Sequence, residues 1–109
     1  MAPESLADEV GSLTDLVQYQ DNAVVSTTLL KQPKGSVTLF AFDEGEGLSE
    51  HSTPHDALVQ ILEGTATITV GGTPHEVSTG EVLLLPADIP HALTAPVPFK
   101  MLLTMIRET

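Results

Sequence analysis

The sequence predicts an all-β domain, a β-sandwich or small barrel of about eight short strands. Three observations predict it. Thr65, Thr67 and Thr69 alternate strictly with Ala66, Ile68 and Val70, which is the period of a strand with one buried face. Runs rich in Val, Ile, Thr and Phe are punctuated at short intervals by Gly, Pro and Asp. No segment sustains a helical period over a long stretch.

The elements follow in order. Residues 1–13 are small and polar and read as a flexible N-terminal arm, with one short helical turn expected over 5–10. The ordered domain is expected over 14–109, beginning around Asp15 to Tyr19. Residues 24–30 form a first strand, and Gln32-Pro33-Lys34-Gly35 is a turn. Residues 36–42 place Val37, Leu39 and Ala41 on one face and Thr38, Phe40 and Phe42 on the other. Residues 43–47 are an acidic loop, 48–51 are extended, and Pro54 interrupts the chain before a strand over 57–62. Gly71-Gly72 joins the strands over 65–70 and 73–78, because both positions tolerate positive φ. Strands over 82–85, 91–93 and 99–106 complete the set, with a proline-bounded loop over 86–90.

Composition narrows the function. One domain accounts for 109 residues, and 41% apolar residues are enough to build a core. Fifteen acidic residues against four basic ones give a formal charge of −11, which disfavours nucleic acid and anionic membranes as partners. Cysteine is absent, so a metal here must use His, carboxylate, amide or water ligands. The N-terminus lacks a basic segment followed by an apolar core, and no apolar run nears the ~18 residues of a membrane span. A cytoplasmic protein is expected.

Three of the four histidines flank turn signals at strand ends. His51-Ser52-Thr53-Pro54-His55 cannot be helical, because Pro54 forbids it. On a straight strand, His51 and His55 stand roughly 13 Å apart, too far to share a metal with bonds of about 2 Å. Only a turn through Ser52, Thr53 and Pro54 brings them together. His91 follows Pro90 and starts a strand after a rigid loop, which suits a positioned ligand or base. Asp88 in that loop reads as a turn residue. Gln60 shares a strand face with Leu58 and Leu62; it is either a satisfied core amide or an amide lining a pocket. His75 reads as a surface residue.

Gly47, His51 and Gly64, then Gly80, Pro86 and His91, resemble the two motifs of the cupin superfamily. The resemblance covers residues 35–106. Two departures stand out: Thr53 occupies the place of the first motif's second histidine, and Ala57 or Leu58 that of its glutamate. The resemblance implies a double-stranded β-helix, or jelly roll, with a pocket at one mouth. The pocket is expected to include Gln60, Leu58, Leu62, Phe42 and Met101, with Gln60 facing the barrel interior. A divalent transition metal (Zn, Fe, Mn or Ni) would draw on His51, His91, His55 and Gln60.

Three functional readings remain open: a metal-dependent enzyme of isomerase or oxygenase type acting on a small molecule, a non-catalytic ligand-binding or sensor protein without metal, and a metal-free enzyme with a histidine base. A small-molecule ligand and a homodimer are the expected partners. The dimer is expected because the strands over 24–30 and 101–106 are apolar on both faces.

Overall fold

Nine strands, where about eight were expected, carry the fold in this computed structural model, which describes residues 6–107. They are β1 (Val24–Gln32), β2 (Gly35–Phe42), β3 (Gly47–His51), β4 (Asp56–Glu63), β5 (Thr65–Val70), β6 (Thr73–Ser78), β7 (Val82–Leu85), β8 (His91–Thr94) and β9 (Phe99–Ile106). A 3-10 turn at Leu13–Asp15 precedes them. The helical turn expected over 5–10 begins outside the described residues. Among the described residues no helix is long and apolar enough to cross a membrane.

Two antiparallel sheets pack face to face as a jelly roll. One has the order β1-β2-β9-β4-β7, the other β3-β8-β5-β6. Gly71 and Gly72 take φ of 57° and 85° and close the β5–β6 hairpin as their sequence requires.

The inner faces meet in one core. Phe42 and Phe99 stack with ring centroids 4.4 Å apart, and Val59, Ile61, Ala66, Ile68, Leu93 and Met101 pack around them. A second, smaller core lies outside the five-stranded sheet. There Leu16 and Val17 cover Leu39 and Ala41, with Val25, Leu29, Leu62 and Leu102 beside them.

Polar groups strap this N-terminal segment down. Tyr19 donates to Glu63 Oε2 at 2.7 Å, and the buried Lys100 donates to the Thr14 carbonyl while lying over the Tyr19 ring. Burial, followed by the Glu63 carboxylate, pushes the Tyr19 hydroxyl above its usual pKa.

The strand directions define two unlike ends. At one, β2 and β4 finish while β3 and β9 begin, which collects Phe42 and Phe99. At the other, β3 finishes at His51, β7 at Leu85 and β9 at Ile106, while β8 begins at His91. Burial grades along this axis. Phe42, Phe99 and Met101 are at most 1% exposed at the first end. Nearer the histidine end Val70, Leu83 and Leu103 are only partly buried, although Ala57 and Leu85 there are buried. The core is thus closed most completely around Phe42 and Phe99 and less completely toward the histidines.

Candidate functional site

The histidine end is shaped by a β-bulge. Leu48 pairs with Leu93 and His51 with His91, so three residue steps on β3 match two on β8. Strict alternation would put Leu48 and His51 on opposite faces. The extra residue restores His51 to the face of Leu48, which packs on the core. Gly47 begins this irregular strand, because a Cβ there would lie 2.3 Å from the Leu93 carbonyl oxygen.

The bulge brings the His51 and His91 rings to 4.4 Å between centroids, inclined by 68°. His91 is 7% exposed and shares the inward face with Leu93, while His51 is exposed at the rim. His51 Nδ1 lies 2.9 Å from the Ser49 carbonyl oxygen, and His91 Nδ1 lies 3.3 Å from that of Ile89. A carbonyl oxygen only accepts, so each Nδ1 carries a proton, and in the neutral form of either ring Nε2 holds the lone pair. Burial is the main cause that lowers the His91 pKa; the Ile89 carbonyl opposes it and the His51 charge adds to it. His91 is therefore a neutral imidazole near pH 7.

Two loops are locked together beside this pair. Asp88 N donates to Thr53 O at 2.7 Å, and Ala87 N donates to Asp56 Oδ1 at 2.8 Å. Asp88 has φ of 66°, so it is the turn residue expected from the sequence. His75 is exposed on β6.

The turn through Pro54 does form, and the Thr53 hydroxyl bonds the His55 carbonyl at 3.1 Å. It carries the chain from one sheet to the other instead of folding His55 back onto His51. His55 lines a separate depression with Pro54, Asp56, Ala87, Asp88 and Ile106. Among the described residues no three His, Cys, Asp or Glu side chains gather as a metal group.

The structure corrects the inward placement of Gln60. On β4 it is Ala57, Val59 and Ile61 that enter the core, while Leu58 and Gln60 are exposed and Leu62 packs in the outer cluster. Leu58, Gln60 and Leu62 line a depression on the outside of the barrel with Gly80, Glu81 and Val82. Both faces of β4 are largely apolar, so alternation groups its residues correctly without saying which group is inside.

Phe42 and Met101 do face the interior, but in the packed end away from the histidines. Beyond the Phe40–Met101 pair, toward the histidines, the inner face carries Thr38 of β2 and Leu103 and Met105 of β9, on the faces of Phe42 and Met101. The alternation of residues 36–42 already placed Thr38 and Phe40 with Phe42. Which end of that strand adjoins His51 was absent from it.

Comparisons with known proteins agree with this architecture. The family described as "Cupin domain" matches residues 38–106. A conserved protein of unknown function from Streptococcus pyogenes is 36% identical, with a TM-score of 0.89 over 94% of this chain and 90% of that one. A cupin superfamily protein from Desulfitobacterium hafniense is 31% identical, with a TM-score of 0.88 over 93% of both chains. An uncharacterized protein of Streptomyces coelicolor is 34% identical over 62 residues, which are 57% of this chain and 59% of that protein.

Proposed function

This chain belongs to the cupin domain family, and from that premise we propose that it is a small-molecule-binding protein whose ligand enters at the histidine end of the barrel and meets His51 and His91. One observation carries the reading: two adjacent imidazoles each have Nδ1 tied to a backbone carbonyl, which leaves Nε2 as the ring nitrogen available to a ligand. Such a pair accepts hydrogen bonds from ligand hydroxyl or amide groups, while Leu103 offers apolar contact.

A resident transition metal fits this donor set poorly. A catalytic zinc-like site uses three protein ligands and an open position. Here two imidazoles converge, and neither His55 nor Gln60 joins them among the described residues. The histidine pair therefore acts on the ligand directly.

A second reading has its own support. Burial keeps His91 neutral near pH 7, so its Nε2 is competent to take a proton from a ligand as a general base. The homodimer expected from the sequence is part of the proposal.

The test begins with protein purified without a nickel column. We expect no stoichiometric transition metal, and ligands found in a thermal-shift screen should lose their effect on His91→Ala and His51→Ala. Stoichiometric metal that disappears in His51→Ala would sink the metal-free reading. Ligands that bind both variants as well as the parent would remove the histidine pair as the site.

A further inference from the structure

Positive charge is unevenly placed along the barrel axis. The chain has four basic residues against fifteen acidic ones. Lys31 and Lys34 stand where β1 ends and β2 begins, and Gly35 of β2 pairs with Ile106, so both lie at the histidine end. Arg107 follows β9 at the same end, and its backbone N–H donates to the Lys34 carbonyl at 2.7 Å. The fourth, Lys100, is buried under the N-terminal segment. Asp21, Asp43, Glu44, Glu46, Glu63 and Glu81 gather at the packed end, whereas the acids beside the three cations are Glu50, Asp56 and Asp88 among the described residues. The field of the chain therefore repels an anion from the packed end and is weakest against it at the histidines.

Register turns one of these cations inward. Lys31 pairs with Ser36, Ser36 with Met105, Met105 with Ala57, and Ala57 with Leu85. Directly paired residues share a face of the sheet, and Ala57 and Leu85 belong to the core. Lys31 and Ser36 thus hold the inner face at the rim, in a row without an acid. Strict alternation from Val24, which packs on the core, would turn Lys31 outward; the register shift between Thr28 and Leu30 reverses it. Asp56 falls in the neighbouring outward row with Ile106, and its Oδ1 accepts a hydrogen bond from Ala87.

Topology sets this lysine beside the histidines. Residues of β6 and β7 line one depression, so these edges of the two sheets adjoin. The remaining edges, β1 and β3, are neighbours on the opposite side. Lys31 near the end of β1 and His51 at the end of β3 share one rim, each turned inward by a bulge.

We propose that Lys31 is the anion-binding residue of the histidine site, and that the ligand is a small organic carboxylate bearing a hydroxyl or amide group. It rests on the histidine-site reading above and adds the ligand class. The carboxylate accepts hydrogen bonds from the Lys31 ammonium and the Ser36 hydroxyl, and the ligand's own hydroxyl or amide N–H donates to an imidazole Nε2. Met105 and Leu103 face the carbon skeleton between them. One lysine is a point charge matched to a monoanion; a phosphate dianion calls for more donors than this row supplies.

The experiment follows the ring signals of His51 and His91 by nuclear magnetic resonance during titration with lactate, its neutral amide lactamide, and inorganic phosphate. Lactate should move both rings with saturation, and lactamide should bind about tenfold more weakly or worse. Lys31→Met should reduce lactate to the level of lactamide and leave lactamide unchanged. Lys34→Met, outside the inner row, should keep most of the affinity for lactate. Equal binding of lactate and lactamide, no saturable binding of lactate, or unchanged lactate affinity in Lys31→Met overturns the anion proposal alone, because neutral ligands that need His91 would still stand. The last of these, joined to aggregation of Lys31→Met, would make Lys31 a guard of the β1 edge instead. Phosphate binding more tightly than lactate overturns the carboxylate class. Lactate bound as well by His91→Ala as by the parent removes the histidine site itself. Circular dichroism checks each variant, and Lys31→Gln replaces Lys31→Met if that protein does not fold.

Discussion

His51 and His91 stand opposite one another on β3 and β8 with their rings 4.4 Å apart, and a one-residue bulge puts them there. The bulge lies between the Leu48–Leu93 and His51–His91 pairs. On a regular strand His51 would point away from the barrel while Leu48 pointed in. The site is therefore a product of backbone register, and several expectations follow from how that register is held.

Gly47→Ala should disturb the pair without touching either ring. The new Cβ would fall 2.3 Å from the Leu93 carbonyl oxygen, so β3 must move off β8. We expect a loss of about 1–3 kcal/mol in denaturant unfolding and the disappearance of nuclear Overhauser contacts between the two imidazoles. Retention of both would show that β3 is not held by this close approach.

Acid should weaken the fold partly through His91. Burial lowers its proton affinity in the native state below the ordinary value of 6.5, so the unfolded chain binds the proton more readily. At pH above both values neither state is charged and this group contributes nothing. As the pH falls below about 6.5, protonation of the unfolded chain draws the equilibrium away from the native state, until the native histidine also protonates. Denaturant midpoints at about pH 7.5 and about pH 5.5 should thus fall further for the parent than for His91→Gln. Equal shifts in the two proteins would contradict this.

The packed end should carry stability and no recognition. Phe99 is fully buried and stacked on Phe42 at 4.4 Å, so Phe99→Ala should cost about 3–5 kcal/mol in denaturant unfolding. A cost below about 1 kcal/mol would mean that this end is loosely filled.

Gln60→Ala should leave ligand binding at the histidine end unchanged, because Gln60 is exposed on the outer face of β4. Its stability should stay within about 0.5 kcal/mol of the parent. A tenfold loss of ligand affinity, measured by calorimetry beside His91→Ala, would return Gln60 to the interior.

Strands were legible wherever the local signal was strong. The threonine alternation of 65–70, the Gly71-Gly72 turn and the proline-bounded loop before His91 all stand as read. The pairing of Thr38, Phe40 and Phe42 on one face was also correct. The inside and outside of β4 were not legible. Ala57, Val59 and Ile61 alternate with Leu58, Gln60 and Leu62, and either trio passes for a core face. The answer lay in long-range packing: Ala57, Val59 and Ile61 join the core between the sheets, while Leu62 packs with Leu39 in the outer cluster.

The sequence by itself determined an all-β chain, the order and approximate limits of its strands, and a cluster of histidines at turns. These follow from period, turn chemistry and proline, which act over a few residues. Tertiary structure alone decided which histidines meet. His51 and His91 are forty residues apart in the chain and adjacent in a sheet, whereas His51 ends β3 and His55, four residues on, lies in the turn that leads to β4 of the other sheet. The physical reason is that a bulge and a sheet crossover are set by long-range pairing and packing, and neither leaves a periodic trace in the local sequence.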